Sequence, residues 1–371
     1  MRTIPKYIHE LKEWPHFEWQ HEKLVHPLAA VRHKQGRLLG KLEGLGFTLR
    51  QEASLETLTL DVIKSSEIEG EKLSTDQVRS SIARRLGMEV GGVINVDRNV
   101  EGVVEMMLDA TQKFDQPLNH ERLFAWHAAL FPTGRSSMYK ITVGAWRTGE
   151  NGPMQVVSGA MGKERIHFEA TEAKRLNDEM KKFLNWFNTV HDIDSVLKAA
   201  IAHLWFVTIH PFDDGNGRMA RAIADMQLSR SDKSTQRFYS MSAQIQKERT
   251  EYYDCLEQTQ NATLNITRWL VWFIDCLDRA LTTSEENLIG VLTKAKFWET
   301  HSTAILNERQ RFMLNKLLDH FEGKLTSSKW AKLTKCSTDT ALRDIQNLMS
   351  QSILEKENEG GRSTSYRIRD L

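Results

Sequence analysis

The twelve residues from His210 to Arg221, HPFDDGNGRMAR, decide how the rest of the chain is interpreted. Gly215 and Gly217 flank Asn216, and two glycines at this spacing allow the positive φ angles of a tight concave loop. A helical run starts at the end of this loop, so free backbone N–H groups and the helix dipole create positive potential there. The stretch therefore predicts a loop that binds phosphate groups at the start of a helix.

The charged residues of the same stretch fit a polyphosphate bound together with a metal ion. Arg218 and Arg221 are three residues apart, so they share one face of the predicted helix and can contact neighbouring phosphates. Asp214 precedes the loop, where a carboxylate would repel phosphates unless a cation such as Mg²⁺ bridged the two. These residues predict a nucleotide site in which Asp214 is the metal ligand.

His210 is placed to act as a general base. Pro211 follows it and disfavours helical backbone, so we expect the preceding helix to end at His210 in an extended conformation. Phe212 is expected to enter the core and fix the loop. Imidazole has an ordinary pKa near 6.5 and suits the removal of a proton from an attacking hydroxyl. The complete set of groups predicts phosphoryl transfer.

The stretch resembles the signature of the Fic (Fido) family, HxFx[D/E]GNGRxxR, at every specified position. Members of this family are helical, and most transfer AMP from ATP to a Ser, Thr or Tyr hydroxyl of a protein. The resemblance implies that His210 deprotonates the target hydroxyl and that Asp214 binds Mg²⁺. It also implies that ATP lies on the loop Gly215–Gly217, with Arg218 and Arg221 beside the outer phosphates. Some relatives use UTP or CDP-choline, but the match to the ATP-type signature favours ATP.

An upstream segment resembles the inhibitory motif of the same family, [S/T]xxxE[G/N], with Ser65, Glu69 and Gly70 in place. The resemblance implies a helix at about 55–70 whose Glu69 pairs with Arg221. That pair would remove a ligand of the γ-phosphate and add negative charge at its position, so ATP would bind in an unproductive pose. The alternative is that Glu69 is a surface carboxylate near a helix end.

Two further segments resemble substrate-binding parts of the family. Residues 154–168 contain two short apolar runs around a glycine-containing turn, which predicts a β-hairpin. This hairpin is similar to the family's flap, whose edge pairs with an extended segment of the protein substrate. Tyr252 and Tyr253 resemble a pair that contacts adenine in ATP, although Gln260 replaces the Asn that often follows. The alternative is that the two tyrosines pack in the core.

Helical periodicity covers most of the chain, so the predicted fold class is mainly α. It comprises a Fic-type helical core with the hairpin flap and a small C-terminal winged helix-turn-helix. In the tail, helix, short helix and helix precede two strands around a Gly360-Gly361 turn, and Thr326 and Ser337 are good N-cap residues. The predicted domains are an N-terminal helical region (1–95), a catalytic core (96–285) and a winged-helix domain (300–371).

Composition excludes a strong general attraction to nucleic acid or membrane. Lys and Arg number 50 and Asp and Glu 49, giving a formal net charge of +1. We see no signal peptide, no membrane-spanning stretch and no disulfide framework among three separated cysteines, which predicts a cytoplasmic protein. Residues 322–371 hold nine basic and seven acidic residues, so protein interaction or homodimer formation is favoured over DNA binding by the tail.

Three functional hypotheses follow. The first is an adenylyltransferase that modifies proteins, including itself, and is inhibited by Glu69. The second is the reverse reaction at the same site, a de-AMPylase in which Glu69 places a water molecule. The third, of another class, is a winged-helix DNA-binding regulator whose core senses nucleotides. His210 argues against the third hypothesis, because a sensor needs the phosphate loop but no general base.

Overall fold

The computed structural model describes residues 6–88, 95–150, 152–159, 165–318, 321, 323–357 and 364–369. The expected turns of the flap and of the C-terminal hairpin lie outside these residues. The chain divides into two compact units, Met1–Ser284 and Glu285–Leu371. As predicted, the described residues are mainly helical with small antiparallel hairpins.

The first unit consists mainly of α-helices, and its last helix crosses the boundary into the second unit. The helices are α1 (His21–Glu43), α2 (Phe47–Ile68), α3 (Thr75–Arg85), α4 (Arg98–Gln112), α5 (His120–Leu130), α6 (Leu176–Asn188), α7 (Ser195–Ile209), α8 (Asn216–Asp232), α9 (Met241–Lys247), α10 (Arg249–Gln260) and α11 (Thr267–Thr300). The predicted inhibitory helix corresponds to α2, which starts earlier than expected and ends at Ile68.

Helices α7 and α8 form the centre of this unit. Every side chain from Val196 to Ile209 is buried, as expected for a helix that is apolar on all sides. Asp194 caps α7 by accepting a hydrogen bond from the Val196 backbone at 2.7 Å. The same Asp194 carboxylate pairs with Arg32 of α1 at 2.8 Å, which fixes the N-terminal helix to the core. The phosphate loop therefore lies between two helices that the core holds in place.

The first unit also contains two short hairpins. The first joins β1 (Arg135–Ser136) to β2 (Tyr139–Lys140), and the second joins β3 (Gln155–Ser158) to β4 (Arg165–Glu169). The second hairpin is the predicted flap, and its register shifts between Val156 and Val157. Phe168 on β4 is buried against Tyr7, at a centroid distance of 5.1 Å, so the N-terminal segment supports the flap.

The second unit has the element order of the predicted winged helix. Its elements are α12 (Glu308–Leu318), α13 (Ser327–Thr334), α14 (Thr338–Ser350), β5 (Leu354–Lys356) and β6 (Tyr366–Ile368). Thr326 and Ser337 cap α13 and α14 through their hydroxyl oxygens, as predicted. Trp330 is fully buried at the centre of the unit's apolar core.

The helices were compared with the length and apolar character of a membrane span. None of the helices in the described part of the chain combines the length and the apolar character needed to cross a bilayer.

Candidate active site

His210 ends α7 in a left-handed conformation, with φ 54° and ψ 60°. The expectation of an extended residue before Pro211 was therefore wrong. The proline excludes the right-handed region, but a left-handed residue closes the helix and still lets the His210 N–H donate to Phe206 at 3.0 Å. Arg147 holds this shape, because its Nε donates to the His210 carbonyl at 2.8 Å and its backbone N–H donates to Pro211 at 2.9 Å.

The imidazole of His210 is oriented as a base. Its Nδ1 lies 3.2 Å from the carbonyl oxygen of Val207, which can only accept, so Nδ1 carries the proton and Nε2 is free to accept one. Burial lowers the pKa of His210 to about 4, because charge is disfavoured away from water. The ring is therefore neutral at physiological pH, in the protonation state that a general base requires.

Phe212 anchors the loop, as predicted. Its side chain is fully buried and stacks on His127 at a centroid distance of 4.2 Å with planes 12° apart. His127 donates from Nε2 to the carbonyl of Asp214 at 3.2 Å and accepts at Nδ1 from the N–H of Gly144 at 3.3 Å. Burial lowers the pKa of His127 to about 4, so it is a neutral bridge between loop segments.

Replacing Phe212 with alanine will lower the free energy of unfolding by about 3–5 kcal/mol, since a buried phenyl ring is lost and a cavity remains. Chemical denaturation measures the change. The same substitution at Phe47, whose residue is 73% exposed, is the control and will change stability by less than about 0.5 kcal/mol. A Phe212→Ala protein as stable as the Phe47→Ala protein would show that the ring is not an anchor.

Asn216 shapes the loop with its side chain. Its Oδ1 accepts from the Phe212 N–H at 3.0 Å and its Nδ2 donates to the Phe212 carbonyl at 2.8 Å. The side-chain amide is thus hydrogen-bonded to the Phe212 backbone through both its oxygen and its nitrogen. A contact with phosphate would therefore come from the main chain of Asn216. Gly215 has φ 81°, and a Cβ there would lie 2.9 Å from the Phe131 ring, so this position requires glycine.

Asp214 lies beside the loop with both carboxylate oxygens oriented by neighbours. Oδ1 accepts from the N–H of Gly215 at 2.6 Å, and Oδ2 accepts from the hydroxyl of Ser136. Within the described ranges, no group of three or more His, Cys, Asp or Glu side chains could hold a metal. One oriented carboxylate suits Mg²⁺, which takes its remaining ligands from phosphate and water.

Arg221 makes three hydrogen bonds with two residues of the predicted inhibitory segment. It donates from Nε to the Ser65 hydroxyl at 2.9 Å, and from Nη2 to the Ser65 carbonyl and the Glu69 Oε1, both at 2.8 Å. Burial alone would lower the pKa of Arg221, but the charge and hydrogen bond of Glu69, together with Tyr252 and Tyr253, raise that pKa above its ordinary value. A Cβ at Gly217 would overlap with Glu69 Oε1, so the carboxylate lies directly against the first turn of α8.

Arg218 makes an ion pair that the sequence did not reveal. Its Nη1 lies 2.7 Å from Oε2 of Glu71, and its guanidinium is 5.2 Å from the centre of the Phe131 ring. Among the described residues, Nε of Arg218 and Nη1 of Arg221 are buried without a hydrogen-bond partner. Such N–H groups fit phosphate oxygens, which accept several hydrogen bonds at once.

The three residues predicted to contact ATP from α10 lie in different surroundings. Tyr252 is buried, and its hydroxyl is 2.8 Å from Nε2 of His203. Gln260 is also buried and donates to the Thr208 hydroxyl at 3.1 Å. Of the three, Tyr253 is the exposed residue, at 37%. The structure thus buries Tyr252 and Gln260 in the core, and a contact of Tyr253 with adenine stays a prediction.

Family comparisons place this loop within a known domain. Residues 117–228 match the family model described as Fic/DOC family. These residues are a Fic/DOC family domain. Residues 7–88 match a second model, a domain of unknown function called DUF4172. Glu69 and Glu71 therefore lie in the N-terminal DUF4172 domain, whereas the arginines that they contact belong to the Fic domain.

Curated proteins that the chain matches are named as protein adenylyltransferases. A protein adenylyltransferase, fic-1 of Caenorhabditis elegans, is 30% identical over 178 residues, which are 47% of this chain and 32% of that protein. The protein adenylyltransferase Fic of Drosophila virilis is 31% identical over 104 residues, 28% of this chain and 20% of that protein. The chain thus spans a third or less of the relatives it matches, and the Fic domain is a distant homologue of theirs.

Solved structures share the fold. A Fic family protein from Desulfovibrio desulfuricans G20 has a TM-score of 0.52 at 20% identity and covers 94% of this chain and 96% of its own. A structure of residues 134–508 of Fic-1 from C. elegans has a TM-score of 0.50 at 21% identity and covers 73% of this chain and 74% of its own. The Fic-like helical fold is therefore common to these proteins.

Proposed function

We propose that the protein is an adenylyltransferase that transfers AMP from ATP to a hydroxyl of a protein and is inhibited by Glu69. The observation that carries this proposal is the orientation of His210, whose Nε2 is left free to accept a proton by the Nδ1 contact with Val207. A loop that only binds a nucleotide has no use for a fixed base. The relatives named adenylyltransferases support the reaction type.

Each residue has its own part in the proposed reaction. His210 Nε2 takes the proton of the target hydroxyl, and the hydroxyl oxygen attacks the α-phosphorus of ATP. The bond between the α-phosphorus and the bridging oxygen of the β-phosphate then breaks, and pyrophosphate leaves. Asp214 would hold Mg²⁺, which neutralises phosphate charge when it is bound. Backbone N–H groups at Gly215–Gly217 and the guanidinium groups of Arg218 and Arg221 stabilise the charge that develops on the phosphates.

The position of Glu69 supports the proposal that the resting protein is inhibited. Its carboxylate lies against Gly217 and pairs with the fully buried Arg221, so it takes the place of an anionic ligand at the start of α8. While this pair persists, Glu69 occupies Nη2 of Arg221 and its negative charge repels a γ-phosphate from the same guanidinium. We infer that ATP then binds with its α-phosphorus out of line for attack.

Exposed side chains on the flap support the proposal of a protein substrate. Val157 on β3 and Ile166 on β4 are exposed at 49% and 45%, although β-branched residues usually pack. Strand β3 borders the site, since Gln155 and Val157 line a cavity with Arg147 and Asp213. We propose that an extended segment of the target, or of a second copy in self-modification, pairs with this hairpin and presents its hydroxyl.

The position of the transferred label tests the reaction. Glu69→Gly protein incubated with Mg²⁺ and ATP will retain label from the α-phosphorus and none from the γ-phosphorus, because pyrophosphate is the leaving group. Mass spectrometry of the protein and of proteins in a cell lysate measures the modification. Glu67→Gly is the matched control, since Glu67 pairs with Lys64 at 2.7 Å instead of an arginine of the loop.

Other outcomes separate the alternatives. Retention of γ-label would show a kinase-type transfer and contradict the proposal. Loss of AMP from a premodified protein in wild type, but not in Glu69→Gly, would establish the reverse reaction, which the placement of the Glu69 carboxylate at the phosphate loop also supports. Absence of any transfer with intact ATP binding would leave a nucleotide sensor.

A further inference from the structure

The segment after α2 presents two carboxylates to the Fic domain. The backbone turns at Gly70, which has φ 85°, and the N–H groups of Glu69 and Glu71 both donate to the carbonyl of Ser66, at 3.1 and 3.0 Å. This turn directs Glu69 to Arg221 at 2.8 Å and Glu71 towards the other arginine of the loop.

The second contact is as short as the first. Oε2 of Glu71 lies 2.7 Å from Nη1 of Arg218, whose side chain is only 3% exposed. Arg218 thus carries a buried charge, and Glu71 is the carboxylate with which it pairs in the described structure. An ion pair of this kind keeps an anionic ligand from using the same N–H group.

We propose that Glu71 is a second inhibitory residue, which occupies Arg218 while Glu69 occupies Arg221. The inference rests on the proposed function, because it assigns Arg218 to the phosphates of ATP. Two carboxylates two residues apart then imitate two neighbouring phosphates on the α8 arginines. ATP in the productive pose has to displace both, and ATP in the unproductive pose still competes with Glu71, whereas AMP competes with neither.

The two carboxylates differ in accessibility, which gives them different roles. The Glu71 side chain is 48% exposed and that of Glu69 is 30% exposed. Water and salt screen the Glu71 pair more strongly, so its contribution is that of a partly exposed ion pair. Glu71 therefore sets how well the resting protein binds ATP, and Glu69 sets whether bound ATP is placed for transfer.

Nucleotide binding tests this inference on the full chain. Glu71→Gln will lower the Kd of Mg-ATP by about two- to sixfold, the change expected for the loss of one half-exposed ion pair. The Kd of AMP will stay unchanged, because AMP lacks the outer phosphates. Titration calorimetry measures both constants, in wild type and in the Glu69→Gly background.

Glu67→Gln is the matched control, since it removes the same charge from the same segment but pairs with Lys64. A Kd for Mg-ATP that is equal in Glu71→Gln and Glu67→Gln would overturn the inference. An equal gain in affinity for AMP would overturn it too, because the effect would then be one of general charge.

The binding readout separates this inference from the proposed function. If Glu69→Gly binds Mg-ATP but transfers no AMP, the proposed function fails, whereas the effect of Glu71→Gln on Kd is still measurable. If transfer occurs and Glu71→Gln leaves the Kd of Mg-ATP unchanged, only the second inhibitory residue is rejected.

Discussion

Replacing Glu69 with glycine will raise the rate of AMP incorporation on the order of 10²-fold or more, because it frees an arginine for the transition state. Arg221 is fully buried, and Glu69 is the negatively charged group that it contacts in the described structure. Ser65 keeps its two contacts with Arg221 after the substitution, so the guanidinium stays in position for the γ-phosphate. Initial rates at saturating Mg-ATP measure the change.

Glu69→Gln refines this result. Its amide has nearly the same size but no charge, so it separates loss of the ion pair from loss of the side chain. A rate for Glu69→Gln between those of wild type and Glu69→Gly is expected, because the amide still fills the space beside Gly217. Equal rates for wild type and Glu69→Gly would refute inhibition by this residue.

Loss of His210 will have the second large effect. In the Glu69→Gly background, His210→Asn will lower the rate of transfer on the order of 10²- to 10⁴-fold, the contribution of a positioned general base. Asparagine is preferred to alanine here, because His210 has φ 54° and asparagine tolerates the left-handed region better. The rate of transfer is compared at a concentration of Mg-ATP above its Kd.

Two measurements accompany that comparison. The Kd of Mg-ATP will change little, since the ring of His210 accepts a proton and holds no phosphate in the proposed reaction. The unfolding midpoint of His210→Asn will stay closer to that of the parent than the midpoint of His210→Ala. A variant that keeps its transfer rate within a factor of about ten would show that another group acts as the base.

The motif was sufficient to predict the loop, the start of the following helix and the position of its arginines, because these parts are local. A glycine-flanked loop before a helix, a base at one end and two arginines on one helical face follow from residues close together in the chain. The conformation of His210 was not predictable by the same means. The left-handed backbone depends on Arg147, which lies sixty-three residues earlier in the chain and binds the His210 carbonyl.

Residues that support the site from elsewhere were missed for the same reason. His127 and Ser136 orient Asp214 from α5 and β1, and no spacing in the sequence relates them to the motif. Glu71 did leave a signal, since acidic residues alternate at Glu67, Glu69 and Glu71. Only the fold decides which of the three faces an arginine of the loop and which pairs with a lysine.

For Tyr252 and Tyr253, the sequence predicted one shared role where the structure shows two different surroundings. Tyr252 and Tyr253 were treated as one pair, but neighbours on a helix point about 100° apart and meet different surroundings. Tyr252 enters the core beside His203, whereas Tyr253 is partly exposed. The family resemblance treated both tyrosines as contacts of adenine and could not tell which of them is accessible.

The amide of Asn216 closes a ring of hydrogen bonds with the backbone of Phe212. These two bonds use only groups of the protein, so they restrict the backbone of the loop and reduce the conformational entropy that is lost when a phosphate binds there. In the proposed mechanism, release of Arg218 and Arg221 requires displacement of Glu69 and Glu71, which lie in the DUF4172 domain. The proposed inhibitory carboxylates and the proposed catalytic loop thus lie in separate stretches of the chain, so substitutions in one stretch change regulation while the other stays constant.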